Sequence, residues 1–383
     1  MSVTSAKGFT AHAVAAGIKE SGGLDLALVF NSGPSRAAAG VFTSNRVQAA
    51  PVRWSREVLG DGRLAAVVLN SGGANACTGP DGAEDTRQTA ALTAELLAVD
   101  AAEVAVCSTG LIGVRLPMAR LLAGLGPAAT GLAEDGGERA ARAIMTTDSV
   151  HKTASASGDG WTVGGMAKGA GMLAPGLATM LVVLTTDADV EPPGLDAALR
   201  AAVRTTFDRV DSDGCMSTND TVLLLASGAS GVSPPYDTFA RAVHTVCADL
   251  ARQLIGDAEG ATKDIEVEVV GAACENDAVQ VGRSIARNSL LKCALHGEDA
   301  NWGRVLSAIG TTGAAFDPDR LDVAVNGVWV CRDGAAGESR DDVDLSGREI
   351  TVTVDLRSGR DSAVIWTNDL TAEYVHENSA YSS

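Results

Sequence analysis

Residues 161–190 read WTVGGMAKGAGMLAPGLATMLVVLTTDADV, and the two halves of that stretch differ sharply in character. Up to Ala178 it is dense in glycine and small side chains, which suits tight turns and close backbone approach. From Thr179 it becomes an apolar, β-branched run, TMLVVLTTDADV, which predicts a buried strand. Upstream, short apolar runs bounded by Gly, Asn or Ser predict strands at 24–30 (LDLALVF), 64–69 (LAAVVL) and 103–107 (EVAVC). Helices are expected at 81–99, with Leu92, Leu96 and Leu97 as apolar positions, and in MARLLAGL behind Pro117. Others are expected at 136–143, 193–208 and 236–255; the last spaces Phe239, Val243, Val246, Leu250 and Leu254 along one face. DTVLLLAS (220–227) is a strand between the last two. The final third alternates again: IEVEVVGA (265–272), a helical stretch at 278–295, then DVAVNGVWV, REITVTVDL and DSAVIWTND. The fold class expected is mixed α/β (α+β) with two sheet systems. A boundary is expected within 176–195, although no linker composition marks it, and no repeat of solenoid period occurs.

Asp and Glu number 48 against 30 Lys and Arg, a formal charge of -18 over 383 residues, so phosphate backbones and anionic lipid are repelled. Neither nucleic acid nor a membrane is expected as partner. Apolar runs such as 180–184 and 221–226 fall far below the ~20 residues of a membrane span. The first residues, MSVTSAKGFTAHAV, lack the basic and apolar regions of a secretory signal. Seven cysteines are scattered without a CxxC pair, as thiols of a reducing compartment are. A cytoplasmic location is expected.

Metal chemistry finds no support: the five histidines are dispersed, and His244 with Cys247 reads as one face of a packed helix. DRVDSDGCMSTND (208–220) sets Asp211, Asp213, Gly214 and Asp220 at calcium-loop positions, but puts Arg209 where the first carboxylate belongs. Gly169 and Gly171 approach a dinucleotide fingerprint, yet a strand rather than a helix follows. No GxxxxGK[ST] or GxSxG occurs. What remains is the approach to Thr179. Small residues (Gly176, Ala178) ahead of Thr179 and a buried strand fit a self-processing threonine. Cleavage before it would leave the hydroxyl nucleophile and a free α-amine, titrating near ~7.7–8.0, on one residue.

Longer strings point to a family. GMAKGAGMLAPGLATML (165–181), AIMTTD (143–148), CSTGLIG (107–113), EGATK (259–263) and HGEDANWGR (296–304) resemble the ornithine acetyltransferase family, the glutamate N-acetyltransferases of arginine biosynthesis. The resemblance runs from the first strands to the final SAYSS. It implies an αββα-type sandwich of the N-terminal-nucleophile kind with a second α/β domain. It implies self-cleavage between Ala178 and Thr179, into a piece of 178 residues and the remaining 205 of the 383. Thr179 then carries acetyl from N-acetylornithine to glutamate by a ping-pong route. Thr109 and Gly110 match the oxyanion pair, one by hydroxyl and the other by backbone N–H. Thr146, Lys168, Glu259, Asn378 and Ser383 match substrate contacts, with Lys168 suited to a carboxylate and Glu259 to a cationic ornithine end. The resemblance implies no cofactor or metal, and cleaved halves that stay together and associate further as a heterotetramer. Donor choice, N-acetylornithine alone or acetyl-CoA as well, stays open here. Cys215 stands where the family commonly has a further acid, and NSLLKCALHG departs from its usual SPLVKTA-type string at Leu290 and Cys293.

Three other functions compete. An N-terminal-nucleophile amidohydrolase or aminopeptidase would use water in place of glutamate. A dinucleotide oxidoreductase would use the Gly169 turn. A non-catalytic acidic interaction protein would stay uncut.

Overall fold

A computed structural model describes residues 2–174 and 180–380; Ala178, Thr179 and Ser383 lie outside the described residues. The chain divides into two compact units. The first takes in the described residues up to 208 together with 215–257, the second 209–214 and 258 onward.

The first unit begins with β1 (Phe9–Val14), β2 (Leu26–Asn31), β3 (Ala38–Phe42), α1 (Ala50–Val58), β4 (Ala66–Asn70), α2 (Gly79–Leu97) and β5 (Val104–Ser108). It continues with α3 (Met118–Thr130), α4 (Gly137–Ala143), β6 (Lys152–Ser157), β7 (Thr162–Lys168), β8 (Leu181–Thr186), α5 (Pro192–Thr205), β9 (Thr221–Ala226) and α6 (Tyr236–Gly256). One sheet has the order β1-β2-β4-β5 and the other β3-β9-β8-β7-β6. Ala27, Val29, Val67, Leu69 and Ala105 of the first sheet share a buried core with Met166, Leu181, Val183, Leu223 and Leu225 of the second. The opposite face of the first sheet, with Leu28, Val68 and Val106, packs on Leu121 and Leu125 of α3 and Ala90 and Ala94 of α2. On the outer side of the second sheet lie α5 and α6. Strands buried on both faces read as continuous apolar runs, and β4, β8 and β9 are buried at every position. The result is the αββα sandwich that the family resemblance implies.

The expected boundary at 176–195 is corrected. β8 lies within that range and pairs antiparallel with β7, from Lys168↔Leu181 to Val163↔Thr186, and in parallel with β9. A fully buried strand needs a neighbour on both edges to satisfy its backbone, so β8 lies inside one sheet and marks no boundary. The units part instead near 208, 214 and 257.

The helices start and stop where their ends predict, with two corrections. Pro192 and Pro193 open α5, and Asp196 pairs with Arg200 one turn on at 2.8 Å. In α2 the fully buried face includes Gly82, Thr86, Thr89, Ala90 and Thr93; Leu92 and Leu97 pack half-buried against the same core, and Leu96 is exposed. The threonine hydroxyls can be buried because each donates to the carbonyl four residues back, as Thr89 does to Asp85 at 2.8 Å.

The second unit contains β10 (Asp264–Ala272), α7 (Glu275–Ala286), α8 (Ser289–His296), α9 (Trp302–Ile309), β11 (Asp322–Val325) and β12 (Val328–Arg332). It ends with β13 (Ala335–Ala336), β14 (Glu349–Asp355), β15 (Asp361–Asn368) and α10 (Ala372–Ala380). Its sheet runs β13-β12-β11-β14-β10-β15. β10 alternates buried Ile265, Val267 and Val269 with half-buried Glu266 and Glu268, so one face packs on α7, α8 and α9. The helix expected over 278–295 is two helices, because the Asn288 side chain accepts the Leu291 N–H at 3.0 Å and caps a new one. Among the described residues no helix is long and apolar enough to cross a membrane.

Candidate active site

β5 ends in Ser108, and the next two residues are the expected oxyanion pair. Asn70, at the end of β4, holds this turn from two sides. Its Oδ1 accepts the Ser108 hydroxyl at 2.6 Å, and its carbonyl accepts the Thr109 N–H at 3.0 Å. The Thr109 carbonyl in turn accepts the Gly73 N–H at 3.0 Å. Gly110 has φ 130°, and a Cβ there would lie 2.5 Å from the Gly73 nitrogen, so only glycine fits this crossing. Among the described residues the Gly110 N–H has no acceptor. Thr109 is buried, and its hydroxyl accepts from the Lys168 ammonium at 3.4 Å. With a lone pair occupied in this way, the hydroxyl hydrogen is left to donate elsewhere.

Lys168 closes β7 and is 2% exposed. It lies 3.9 Å from Asp148, a carboxylate that no spacing argument singled out. Asp148 Oδ1 accepts from the Lys152 ammonium at 2.7 Å and from the Gly169 N–H at 2.6 Å; its Oδ2 accepts the Thr146 N–H at 2.9 Å. One side chain thus ties together the end of β7, the start of β6 and the loop carrying Thr146. Burial alone would push the Asp148 carboxyl up, but the Lys168 and Lys152 charges, the Lys152 bond and the Thr146 N–H outweigh it and hold the pKa at about 2. Asp257 is the second acid on Lys152, at 2.5 Å. A third lysine, Lys19, donates to the carbonyl of Met145 at 2.7 Å, beside Thr146. Burial, with the Lys168 charge adding to it, pulls the Lys19 ammonium below its usual value against Asp25 and Asp148. Three cations therefore gather here in a chain whose formal charge is -18, which suits an anionic substrate group.

The sign of the Asp148 contribution follows from its lowered pKa. The carboxyl titrates at about 2 when folded and near ~3.9 when unfolded, so its stabilisation of about 2–3 kcal/mol is fully present above pH ~4 and lost as pH falls through about 2. Asp148→Asn is expected to remove that acid-dependent loss. It also leaves two buried ammoniums short of counter-charge, costing about 3–5 kcal/mol at neutral pH. Urea unfolding of both proteins between pH 2 and 7 reads both effects, and parallel pH profiles would refute them.

The first unit thus brings together Thr109, Gly110, Thr146 and Lys168. In the second unit, Asn378 donates to Glu259 at 2.9 Å and to the Tyr374 carbonyl at 3.0 Å. Gly260 permits this: it has φ +62°, and a Cβ there would meet the Tyr374 nitrogen at 2.4 Å, so α10 could not approach. Ala178, Thr179 and Ser383 fall outside the described residues. Asp148 and Lys19 were missed by the sequence reasoning. The only signal for Asp148 was its place at the end of AIMTTD, four residues before Lys152; Lys19 carried none. Cys107, next to Ser108, is no rival nucleophile, because burial pushes its thiol up to about 12. Among the described residues no cluster of three or more His, Cys, Asp or Glu could hold a metal ion.

Helical layers around two face-packed sheets, with a lysine-held hydroxyl and a glycine turn at adjoining strand ends, define the chain as an αββα-sandwich protein with an enzyme-like buried polar site. The family model described as the ArgJ family matches residues 10–383. The arginine biosynthesis bifunctional protein ArgJ of Streptomyces coelicolor is 72% identical over 383 residues, all of both chains. That of Thermobifida fusca is 61% identical over the same length. A solved ornithine acetyltransferase from Mycobacterium tuberculosis, complexed with ornithine, is 58% identical; the match covers 47% of this chain and 96% of that one, with a TM-score of 0.45. The chain belongs to the ArgJ family, the ornithine acetyltransferase family of arginine biosynthesis that its sequence strings resemble.

Proposed function

We propose that this protein is a self-cleaving acetyltransferase that moves acetyl from N-acetylornithine to glutamate through an ester on Thr179. The observation that carries this is the contact of Lys168 with the Thr109 hydroxyl, 3.4 Å, beside a glycine N–H without an acceptor among the described residues. Two donors at one strand end are what a tetrahedral oxyanion requires, and each is worth ~2.7–4 kcal/mol in comparable sites. After cleavage before Thr179, its hydroxyl attacks the acetyl carbonyl and its α-amine takes the proton and passes it to the ornithine nitrogen as the amide breaks. Ornithine leaves, glutamate enters, and its amine takes the acetyl group back off the threonine. Lys168 and Thr146 hold the common amino-acid end, while Glu259, Asn378 and Ser383 contact substrate, with Glu259 taking the cationic end of ornithine. The two pieces stay together after cleavage, because β7 and β8 flank the cut and remain paired in one sheet; further association would give the heterotetramer. Acetyl-CoA is a second candidate donor, and no resident cofactor is required.

Mixing the purified protein with N-acetylornithine alone tests the proposal. Mass spectrometry should find the larger fragment heavier by one acetyl group. Double-reciprocal plots with glutamate varied should give parallel lines. Intersecting lines without an acetylated fragment would mean direct transfer in a ternary complex. Acetate release independent of glutamate would make the protein an amidohydrolase instead.

A further inference from the structure

Glu259, given above to the cationic end of ornithine, stands on a part of the chain with no ladder of its own. It sits in the loop between α6, which ends at Gly256, and β10, which begins at Asp264. Among the described residues its carboxylate meets no cation and accepts one bond, from Asn378 at 2.9 Å. A carboxylate free to swing separates a cationic chain end from an uncharged one poorly, because binding must first order it. Selectivity for ornithine therefore needs this loop to be held.

The short segment between β15 and α10 holds it. Asp369 is buried. Its Oδ1 accepts the N–H groups of Thr262 and Lys263 at 2.9 and 3.0 Å, and its Oδ2 accepts the Thr262 hydroxyl. His296, the last residue of α8, places Nδ1 2.8 Å from the same Oδ2. A carboxylate oxygen only accepts, so Nδ1 carries the hydrogen. The Asp369 N–H donates back to the Lys263 carbonyl at 3.3 Å. Burial alone would push the Asp369 carboxyl up, but the Thr262 hydroxyl, the two N–H groups and His296 outweigh it and hold it below the usual carboxylate range.

Two residues on, the Thr371 hydroxyl donates to the Gly260 carbonyl at 2.7 Å and accepts the Tyr374 N–H at 3.0 Å, which caps α10. At the far end of the loop, Lys263 Nζ donates to the carbonyls of Leu345 and Gly347 at 2.6 and 3.0 Å. Residues 369–371 thus grip both sides of the Glu259–Asn378 contact: the loop that carries the acid and the helix that carries the amide. An asparagine at 369 would offer one acceptor oxygen and turn an NH₂ toward N–H donors, so the loop would shift.

We propose that Asp369 is a positioning residue that, with Thr371, sets the place of Glu259 and thereby the preference for an acetylated amino acid with a cationic side-chain end over one of the same length without it. The proposal rests on the assignment of Glu259 to the ornithine cation.

N-acetylornithine and N-acetylnorvaline, which has the same carbon chain without the terminal amine, are compared as donors to glutamate. The readout is the ratio of their kcat/KM values, which does not change when a variant merely loses active molecules. Glu259→Gln should lower the ratio at least ~10-fold, as loss of a bond to a charged group does. Asp369→Asn should lower it at least ~5-fold, within the loss that about 1 Å of misplacement produces. The double variant should match Glu259→Gln within about twofold, since both act through one contact. No transfer from N-acetylornithine by the wild type would overturn the proposed function and this assignment with it. A ratio unmoved by Glu259→Gln would overturn the role of Glu259, and that of Asp369 as its consequence. With Glu259→Gln effective, a ratio in Asp369→Asn within about twofold of wild type, even with both rates lowered, would overturn Asp369 alone. So would a double variant that falls clearly below Glu259→Gln. If Asp369→Asn shows no cooperative thermal transition, Thr371→Val decides, since it removes one hydroxyl from the same clamp. A fall of at least ~3-fold in its ratio supports the assignment, and an unchanged ratio overturns it.

Discussion

Thr179→Ala is expected to give one uncut chain with no measurable acetyl transfer. In the proposed mechanism a single residue supplies three things: the hydroxyl that breaks the bond before it, the hydroxyl that carries acetyl, and the α-amine released by the cut. Alanine keeps the backbone and the strand that follows but removes the oxygen needed for the first step, so the second and third are lost with it. Deleting a catalytic nucleophile costs up to ~10⁶ in kcat in well-studied hydrolases. A loss of that order is expected here even if the variant is cut artificially. On a denaturing gel the wild type should run as two unequal bands, with the larger fragment beginning TMLVV. Two bands from the variant, split at the same bond, would assign the cut to an outside protease.

Thr109→Ala should lower kcat by ~10²–10³ and change KM much less, as loss of one oxyanion donor does. The Lys168 contact is why the effect should be this large. An ordinary surface threonine rotates its hydroxyl freely, whereas this one is buried with its oxygen accepting from an ammonium at 3.4 Å. Its donor direction is therefore set before substrate arrives, and little reorganisation is needed as charge develops. Thr109→Ser keeps the hydroxyl and should recover most of the rate. Lys168 loses its hydroxyl partner in the alanine variant but keeps Asp148 at 3.9 Å, so the stability cost should be small. A fall confined to KM would mean that Thr109 binds substrate without stabilising the transition state.

These outcomes depend on convergences of different sequence range, and that range separates what could be seen early from what could not. Local pattern was readable. Apolar runs of strand length marked β2, β4, β5, β8, β9 and, in the second unit, β10, β11, β12, β14 and β15, because a buried strand reads as an apolar block or an alternation. Proline at the start of α5 and the apolar stripe of α6 placed those helices within a few residues. Less regular elements escaped. FTAHAV of β1 and KTASAS of β6 are built from small and polar residues, and their burial comes from neighbours rather than their own composition. In α2 the leucines suggested the buried face, yet Leu92 and Leu97 are only half-buried and Leu96 is exposed, since the space beside the sheet admits Gly, Ala and self-bonded Thr.

The sequence alone determined the family, through strings long and specific enough to name it, and with the family the expected nucleophile and oxyanion pair. It also determined the strong acidity and the absence of recognisable metal or phosphate motifs. Tertiary structure decided which side chains meet. Lys168 reaches Thr109 across 59 positions, Met180 reaches Asp220 across 40, and Asn219 reaches Ala74 across 145. No periodicity links residues so far apart. They are brought together by strand order, which depends on how two sheets close over a common core. Asp148 shows the same limit: as a letter it is one acid among 48. Only burial among lysines, where its charge is neither hydrated nor dispensable, turns it into the joint that holds Lys168 and the Thr146 loop in place.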